Sequence, residues 1–235
     1  MTYEEVMEQL AQLGTEQTKQ TLMNHGAREP IYGVKIGDMK KLVKTVKKDQ
    51  ELALALYDSG ITDAMYLAGL AVNPKEVTKE RLQDWARKAY WYSLAESTVA
   101  GVAGECPYAR ELALEWIQSP EEMVAASGWS TYSNYVSITP DEKLDCGEIR
   151  GLLQDVRSRI HEERNRVRYT MNAFVISVAA YVKELHEEAK EIADAVGKVH
   201  VNVGYTACKV PLASDYIDMM AAKGKLYAKR KTCIC

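Results

Sequence analysis

The chain has 235 residues, of which 47% are hydrophobic and 27% are charged, a composition typical of a soluble globular protein with a sizeable core. Its formal net charge of −3 argues against a general nucleic-acid binder, and no apolar run approaches the ~20 residues that cross a bilayer. Residues 1–5 are acidic and lack the apolar core of a signal peptide, so we expect a cytoplasmic protein.

Helical periodicity is the dominant pattern along the chain. In residues 39–46, apolar side chains recur at i, i+3, i+4 and i+7, which predicts a helix with one buried face. Lys40 and Lys44 fall outside that stripe and face solvent. The same pattern, with proline and capping signals at its boundaries, predicts helices over residues 3–13, 15–25, 38–48, 50–58, 62–72, 78–90, 93–104, 107–117, 120–136, 141–155, 163–183, 185–196 and 212–223.

Two segments, Ser119–Glu122 and Thr139–Glu142, have the order hydroxyl residue, proline, acid, acid. This order predicts a helix start, because proline suits the first helical position and acids suit the positive end of the helix dipole. Val199–Val203 alternates apolar and polar residues, but nothing nearby offers it a strand partner, so we expect a loop there. The sequence therefore predicts an all-α protein.

Consecutive predicted helices form pairs of unequal length, in the range of α-solenoid repeats. A two-helix unit cannot bury both of its apolar stripes alone, so such units stack into a continuous core and curve. No linker or low-complexity segment divides the chain. We expect one domain over residues 1–235, a curved α-solenoid (α-α superhelix) of degenerate repeats, with a basic tail from about residue 223.

The segment Trp85–Glu96 concentrates four large aromatic residues and ends in a carboxylate. On a helix, Tyr92 and Glu96 are four residues apart and share a face. An aromatic surface beside a carboxylate suits a flat cationic ligand, because both groups attract positive charge. The alternative is that Ser93–Glu96 forms a capping box at a helix start and that the aromatic rings lie in the core.

Positive charge is concentrated in local patches on this acidic protein. No acid follows Asp218, and residues 35–48 contain six lysines opposed by few acids. Such patches indicate a site for a phosphate backbone, with a solvated helix face or a solubilising tail as the alternative. The basic residues of the tail are Lys223, Lys225, Lys229, Arg230 and Lys231.

A third basic feature lies on the helix predicted at 163–183. Arg164, Arg168 and Asn172 recur at i, i+4 and i+8, and a row of guanidinium groups with an amide suits phosphate contact. The alternative is that the two arginines pair with the acids at 162–163.

The five cysteines are scattered and odd in number, which fits reduced thiols rather than a disulfide framework. Cys233 and Cys235 are spaced for a metal, but no other Cys or His pair is, so we expect a frayed tail and no metal site.

The segment Tyr32–Val43, a glycine turn followed by a basic helix, resembles the start of the HEAT-like-repeat DNA alkylation-repair proteins of the AlkD type. Val167–Phe174 and Thr206–Pro211 look like a divergent branch of the same superfamily, and the likeness covers most of the chain. It implies a curved solenoid of HEAT-like repeats with a basic concave groove for duplex DNA. Active members release cationic N3- and N7-alkylpurines from DNA without a metal or cofactor.

The resemblance also implies a catalytic cluster. Tyr92, with Trp91 beside it, lies where the family has its first catalytic tryptophan, and Glu96 lies where the family has an aspartate. By this likeness Glu96 stabilises the positive charge that develops on the sugar, and the two rings supply aromatic contact. The chain departs from the family pattern at two places. Ala173 and Phe174 occupy the region where the family has its second tryptophan. Small residues on the predicted helix 120–136 occupy the place where the family has an arginine.

Three functions follow from these observations. The leading one is a monomeric alkylpurine glycosylase that acts on alkylated duplex DNA without cofactor. The second is a nucleic-acid-binding HEAT-like-repeat protein without chemistry, and the third is a helical-repeat scaffold for other proteins. For the first two we expect phosphate contacts from Lys40, Lys44, Arg164, Arg168, Lys209, Lys225, Lys229 and Arg230.

Overall fold

Helices form all of the regular secondary structure in residues 1–234, the part of the chain that the computed structural model describes. A π-helical segment, Leu94–Val99, leads directly into α7, and short 3-10 turns join several other helices. The α-helices are α1 Tyr3–Leu13, α2 Glu16–Asn24, α3 Ile36–Val46, α4 Gln50–Asp58, α5 Thr62–Ala71, α6 Lys79–Lys88, α7 Ala100–Glu105, α8 Ala109–Ile117, α9 Glu122–Ile138, α10 Cys146–Arg159, α11 Asn165–Tyr181, α12 His186–Val196 and α13 Ala213–Ala222. The prediction of an all-α protein is confirmed.

The helices lie in two layers. The inner layer consists of α3, α5, the π segment with α7, α9, α11 and α13, each of which packs directly on the next. The outer layer contains α4, α6, α8, α10 and α12. Most of these helices pack mainly on inner-layer helices, whereas α10 packs on α12 as closely as on α11. Helices on the inside of a curved stack are crowded and those on the outside are spread apart, so the inner layer forms the concave side of the solenoid.

Salt bridges join neighbouring helices of the outer layer. Each links a cation on one helix to an acid on the next, and exposed pairs of this kind contribute about 0–1 kcal/mol each. Their main consequence is that many outer-layer cations are already engaged by acids. The pairs are Arg81–Asp58 at 2.7 Å, Lys79–Glu111 at 2.7 Å, Arg110–Glu148 at 2.5 Å and Arg150–Glu188 at 2.8 Å.

The hydrophobic core continues from one half of the chain into the other. One cluster of buried side chains extends from Val6 to Val124 and a second from Ala113 to Ile217. The two clusters meet within α8, where Trp116 belongs to the first and Ile117 to the second. Burial of these side chains is the main stabilising term for the stack.

Helix starts are the least accurate part of the sequence prediction. Thr139–Glu142 does not begin α10, because Asp141–Lys143 forms a separate 3-10 turn and Asp145 caps α10 by accepting the amide of Glu148 at 3.0 Å. Ser93 is helical and makes no capping bond, so the capping-box interpretation of Ser93–Glu96 is wrong. Residues 199–203 form a loop, as expected.

Candidate nucleic-acid interface

The centre of the inner layer contains a buried ion pair between Glu96 and Arg166. Nε and Nη2 of Arg166 donate to the two carboxylate oxygens of Glu96 at 2.7 and 2.6 Å, and the side chains are 10% (Glu96) and 11% (Arg166) exposed. The backbone amide of Arg166 donates to Glu122 at 2.7 Å, which anchors the start of α11 against α9. A bidentate pair of this geometry is the strong form of a charge-assisted hydrogen bond.

The Arg166 guanidinium also lies between two aromatic rings. Its Cζ is 4.2 Å from the ring centroid of Tyr92 and 4.3 Å from that of Tyr169. Both distances are within the range of cation–π attraction. The flat cation expected beside Tyr92 and Glu96 is thus present in the fold as a side chain of the protein itself.

The electrostatic state of Glu96 reflects two opposing influences. Burial raises the pKa of Glu96, and the hydrogen bonds and positive charge of Arg166 counteract that rise. Both carboxylate oxygens are engaged by Arg166, so the negative charge is neutralised locally. The catalytic role of Glu96 stays a prediction, and it would have to be carried out by a carboxylate that is already paired with Arg166.

Trp91 is placed differently from Tyr92. The Trp91 ring is only 6% exposed, and its indole N–H donates to the backbone oxygen of His25 at 2.7 Å. Tyr92 is half-buried, and its hydroxyl is hydrogen-bonded to Nδ1 of His25 at 3.1 Å. The expected aromatic contact of Trp91 with DNA does not fit this burial, because the indole packs in the core.

The aromatic residue opposite Tyr92 is Tyr169, and not a residue at 173 or 174. Phe174 is fully buried and packs against the rings of Trp129 and Tyr132, with centroids 5.2 and 5.7 Å apart. These three residues are part of the hydrophobic core.

The predicted phosphate-binding row on α11 is divided by the fold. Arg164 precedes α11, and its Nη1 donates to the backbone oxygens of Ser119 and Pro120 at 2.9 and 2.6 Å. Asn172 is buried and donates to the backbone oxygen of Pro211 at 3.0 Å. Arg168 is half-buried, and its Nε has no hydrogen-bond partner within residues 1–234. Arg164 and Asn172 are therefore structural contacts, and the unpartnered Nε of Arg168 is itself buried, so it is not exposed to a phosphate.

The three predicted lysines that lie outside the tail are exposed. Lys40 and Lys44 lie on the solvent side of α3, opposite Met39, and neither forms an ion pair within the described residues. Lys209 is exposed in the loop before α13. These lysines keep the free ammonium groups that phosphate contact requires.

The tail after α13 runs back across the C-terminal ends of the inner helices. The amides of Tyr227 and Arg230 donate to the backbone oxygens of Ala180 at 2.7 Å and Ser137 at 2.8 Å. Lys229 donates to the oxygen of Val136 at 2.9 Å. Cationic side chains and backbone donors are favoured at these ends, which carry the negative pole of the helix dipole.

The end of the tail is held by Glu105, the last residue of α7. Glu105 accepts the amides of Cys233 and Ile234, and Cys233 is only 7% exposed. The expectation of a frayed tail is wrong for residues 223–234, and Cys235 lies outside the described residues. Of the predicted tail contacts, Lys225 is exposed, whereas Lys229 also pairs with Asp141 at 2.7 Å. Arg230 is half-buried and lines two cavities of the inner layer.

Two further features bear on metal binding and on membrane insertion. Within residues 1–234, no group of three or more His, Cys, Asp and Glu side chains is arranged to hold a metal ion. None of the helices in that range combines the length and apolar character needed to cross a bilayer.

Sequence reasoning missed Arg166, Tyr169 and His25. Arg166 lies between the two arginines that were singled out, and its signal is a cation adjacent to the buried stripe at Val167 and Met171. A charge in that position needs a buried partner. The sequence does not say that the partner is Glu96, 70 residues away.

Comparison with known proteins places the chain in a family. Residues 6–199 match the family model described as DNA alkylation repair enzyme. Two uncharacterized proteins, from Listeria innocua and Listeria monocytogenes, are 38% and 37% identical to this chain, and each alignment covers 93% of this chain and 96% of the relative. A solved structure with a TM-score of 0.92 and 36% identity covers 100% of both chains, and it is described as a new family related to the HEAT-like repeat DNA glycosylases with affinity for branched DNA structures. The chain therefore belongs to the DNA alkylation repair enzyme family and has the HEAT-like repeat fold that the sequence predicted.

Proposed function

We propose that this protein binds branched or sharply distorted DNA and does not hydrolyse N-glycosidic bonds. The observation that carries the proposal is the Glu96–Arg166 pair, in which both carboxylate oxygens accept from one guanidinium at 2.6–2.7 Å. The similar solved structure is described as having affinity for branched DNA, which supports the same substrate class here.

The alternative function is glycosylase activity on cationic alkylpurines, with Glu96 as the charge stabiliser. A preorganised group stabilises a transition state only if it faces the charge that develops there. Arg166 occupies the side of Glu96 where a cationic base or sugar would lie, between the rings of Tyr92 and Tyr169. Catalysis would require Arg166 to leave a buried pair, and this cost favours binding without chemistry.

DNA binding itself is supported by the distribution of unpaired cations. Lys40, Lys44 and Lys209 are exposed and lack acid partners in residues 1–234, whereas many outer-layer cations are engaged in interhelical pairs. Lysines that meet phosphates release counterions, which makes affinity salt-dependent.

The experiment compares a four-way junction with linear duplex DNA of the same length over a salt series. We expect tighter binding to the junction and a fall in affinity as salt increases. Equal affinity for both substrates, or no salt dependence, would contradict the proposal, and no binding to either substrate would favour the scaffold function. The same protein is incubated with methylated duplex DNA, and we expect no release of 7-methylguanine or 3-methyladenine. Release that Glu96→Gln abolishes would establish the glycosylase alternative.

A single lysine tests the phosphate contacts. We expect Lys44→Ala to weaken binding to junction and duplex alike, and to reduce the slope of log affinity against log salt by about 1, because one phosphate contact is lost. The matched control is Lys75→Ala, an exposed lysine before α6. If both variants behave alike, α3 is not part of the interface.

A further inference from the structure

A cavity of about 350 Å³ opens beside the N-terminal end of α11, between the C-terminal end of α2 and the loop before α13. It is lined by residues 23–26, Tyr92, Arg166 and residues 202–205. Its volume is within the range of about 300–1,000 Å³ that is usual for small-molecule sites. Four parts of the chain that are far apart in the sequence thus converge beside Arg166.

The loop that closes one side of this cavity is anchored at both flanks. Asn202 and Asn165 exchange two hydrogen bonds, with the amide of Asn202 donating at 2.7 Å and the side chain of Asn165 donating at 2.9 Å. Gly204 has φ +72°, and a Cβ there would lie 3.3 Å from the backbone oxygen of Asn24. The close approach of Gly204 to α2 holds the next residue, Tyr205, at the mouth of the cavity.

Unused hydrogen-bond donors surround the cavity. Arg166 bonds Glu96 through Nε and Nη2, and its Nη1 has no partner within residues 1–234. The same is true of Nδ2 of Asn202, and His25 bonds Tyr92 through Nδ1 only. A ligand rich in acceptors, such as a phosphodiester, matches this set of groups.

Tyr205 is 96% exposed, the largest exposure among the large hydrophobic side chains of the described residues. A ring held in solvent by an anchored loop gains by stacking on another flat group. Stacking of a base on an aromatic side chain contributes about 1–3 kcal/mol in single-stranded nucleic-acid binding.

We propose that this cavity receives one unpaired nucleotide from the branch point of the DNA, with its phosphate on Arg166 and its base against Tyr205. The inference rests on the proposed function and adds the source of its selectivity. A linear duplex would have to unpair and unstack an interior base to fill the cavity, whereas a base pair at a branch point ends a helical arm and opens at lower cost. Tyr205 is thus a specificity-determining residue, and the lysines of α3 supply affinity for any duplex.

The test measures junction and linear-duplex affinity for the wild type, Tyr205→Ala and Tyr205→Phe. We expect Tyr205→Ala to reduce junction affinity about tenfold and to leave duplex affinity unchanged, and Tyr205→Phe to retain both. The matched control is Tyr108→Ala, an exposed tyrosine that precedes α8. Both tyrosines are exposed, so neither substitution should impair folding.

A second arm removes the base at the branch point by substituting an abasic spacer. We expect the spacer to weaken binding to the wild type but not to Tyr205→Ala, since the two changes remove the same contact. A spacer effect that is equal in both proteins, or a Tyr205→Ala effect that is equal on junction and duplex, would overturn the cavity assignment and leave the proposed function standing. A wild type without junction preference would overturn both.

Discussion

Charged side chains are arranged differently at the two ends of the inner helices. At the N-terminal ends, Arg166 is buried against Glu96 and a cavity remains open beside it. At the C-terminal ends, the chain folds its own basic tail over the helix carbonyls and leaves the tail little freedom to bind elsewhere. Lys229 is therefore engaged by a backbone oxygen at the C-terminal ends, whereas Arg166 pairs with Glu96 at the other end and keeps only its Nη1 without a partner in residues 1–234.

The difference has an electrostatic basis. Helix N-termini attract anions. Helix C-termini repel phosphates, and the tail supplies both donors and positive charge to cover them. The tail thus covers the C-terminal ends of α9 and α11, whereas the cavity at the start of α11, which the end of α2 also borders, stays open.

Substitution of Arg166 should have the largest effect on the N-terminal ends of the inner helices. We expect Arg166→Ala to lower the free energy of unfolding by about 3–5 kcal/mol, because it leaves Glu96 buried without a partner. Urea unfolding followed by circular dichroism measures the change. The double variant Glu96→Ala/Arg166→Ala should be more stable than Arg166→Ala alone, since no unpaired charge remains. A single substitution that costs under about 1 kcal/mol would mean that the pair is solvated.

Removal of residues 223–235 tests the contribution of the tail at the C-terminal ends of the inner helices. We expect a smaller loss of about 1–3 kcal/mol, because the carbonyls of Ala180 and Ser137 exchange their tail donors for water and the burial of Cys233 is lost. Hydrogen exchange should increase in the last turns of α9 and α11 and stay unchanged at their first turns. The control is Lys231→Ala, an exposed tail residue. Exchange that increases along the whole of both helices would show that the tail supports the stack and not its ends alone.

The sequence predicted the fold well because its signals are local. The 3.6-residue periodicity that placed a helix over 38–48 depends on neighbours a few residues apart, and α3 follows it closely. The pairing of Glu96 with Arg166 depends on how α11 stacks beside the π segment, which no local pattern encodes. The same limit explains the tail, where Lys229 is bound to Val136, 93 residues earlier.

The smallest expected effect concerns two thiols, one near each end. Cys106 follows α7, is 6% exposed, and burial raises the pKa of its thiol to about 11. Cys208 lies exposed in the loop that borders the cavity. Since the thiolate is the nucleophile, Cys106 should stay protonated and unreactive up to about pH 10, whereas Cys208 is accessible to reagent. Iodoacetamide labelling at pH 8 with peptide mass spectrometry should modify Cys208 first and Cys106 only after unfolding. Labelling of Cys106 at the same rate as Cys208 would mean that the C-terminal ends of the helices open as readily as the cavity loop. The two ends would then differ in the arrangement of charge but not in rigidity.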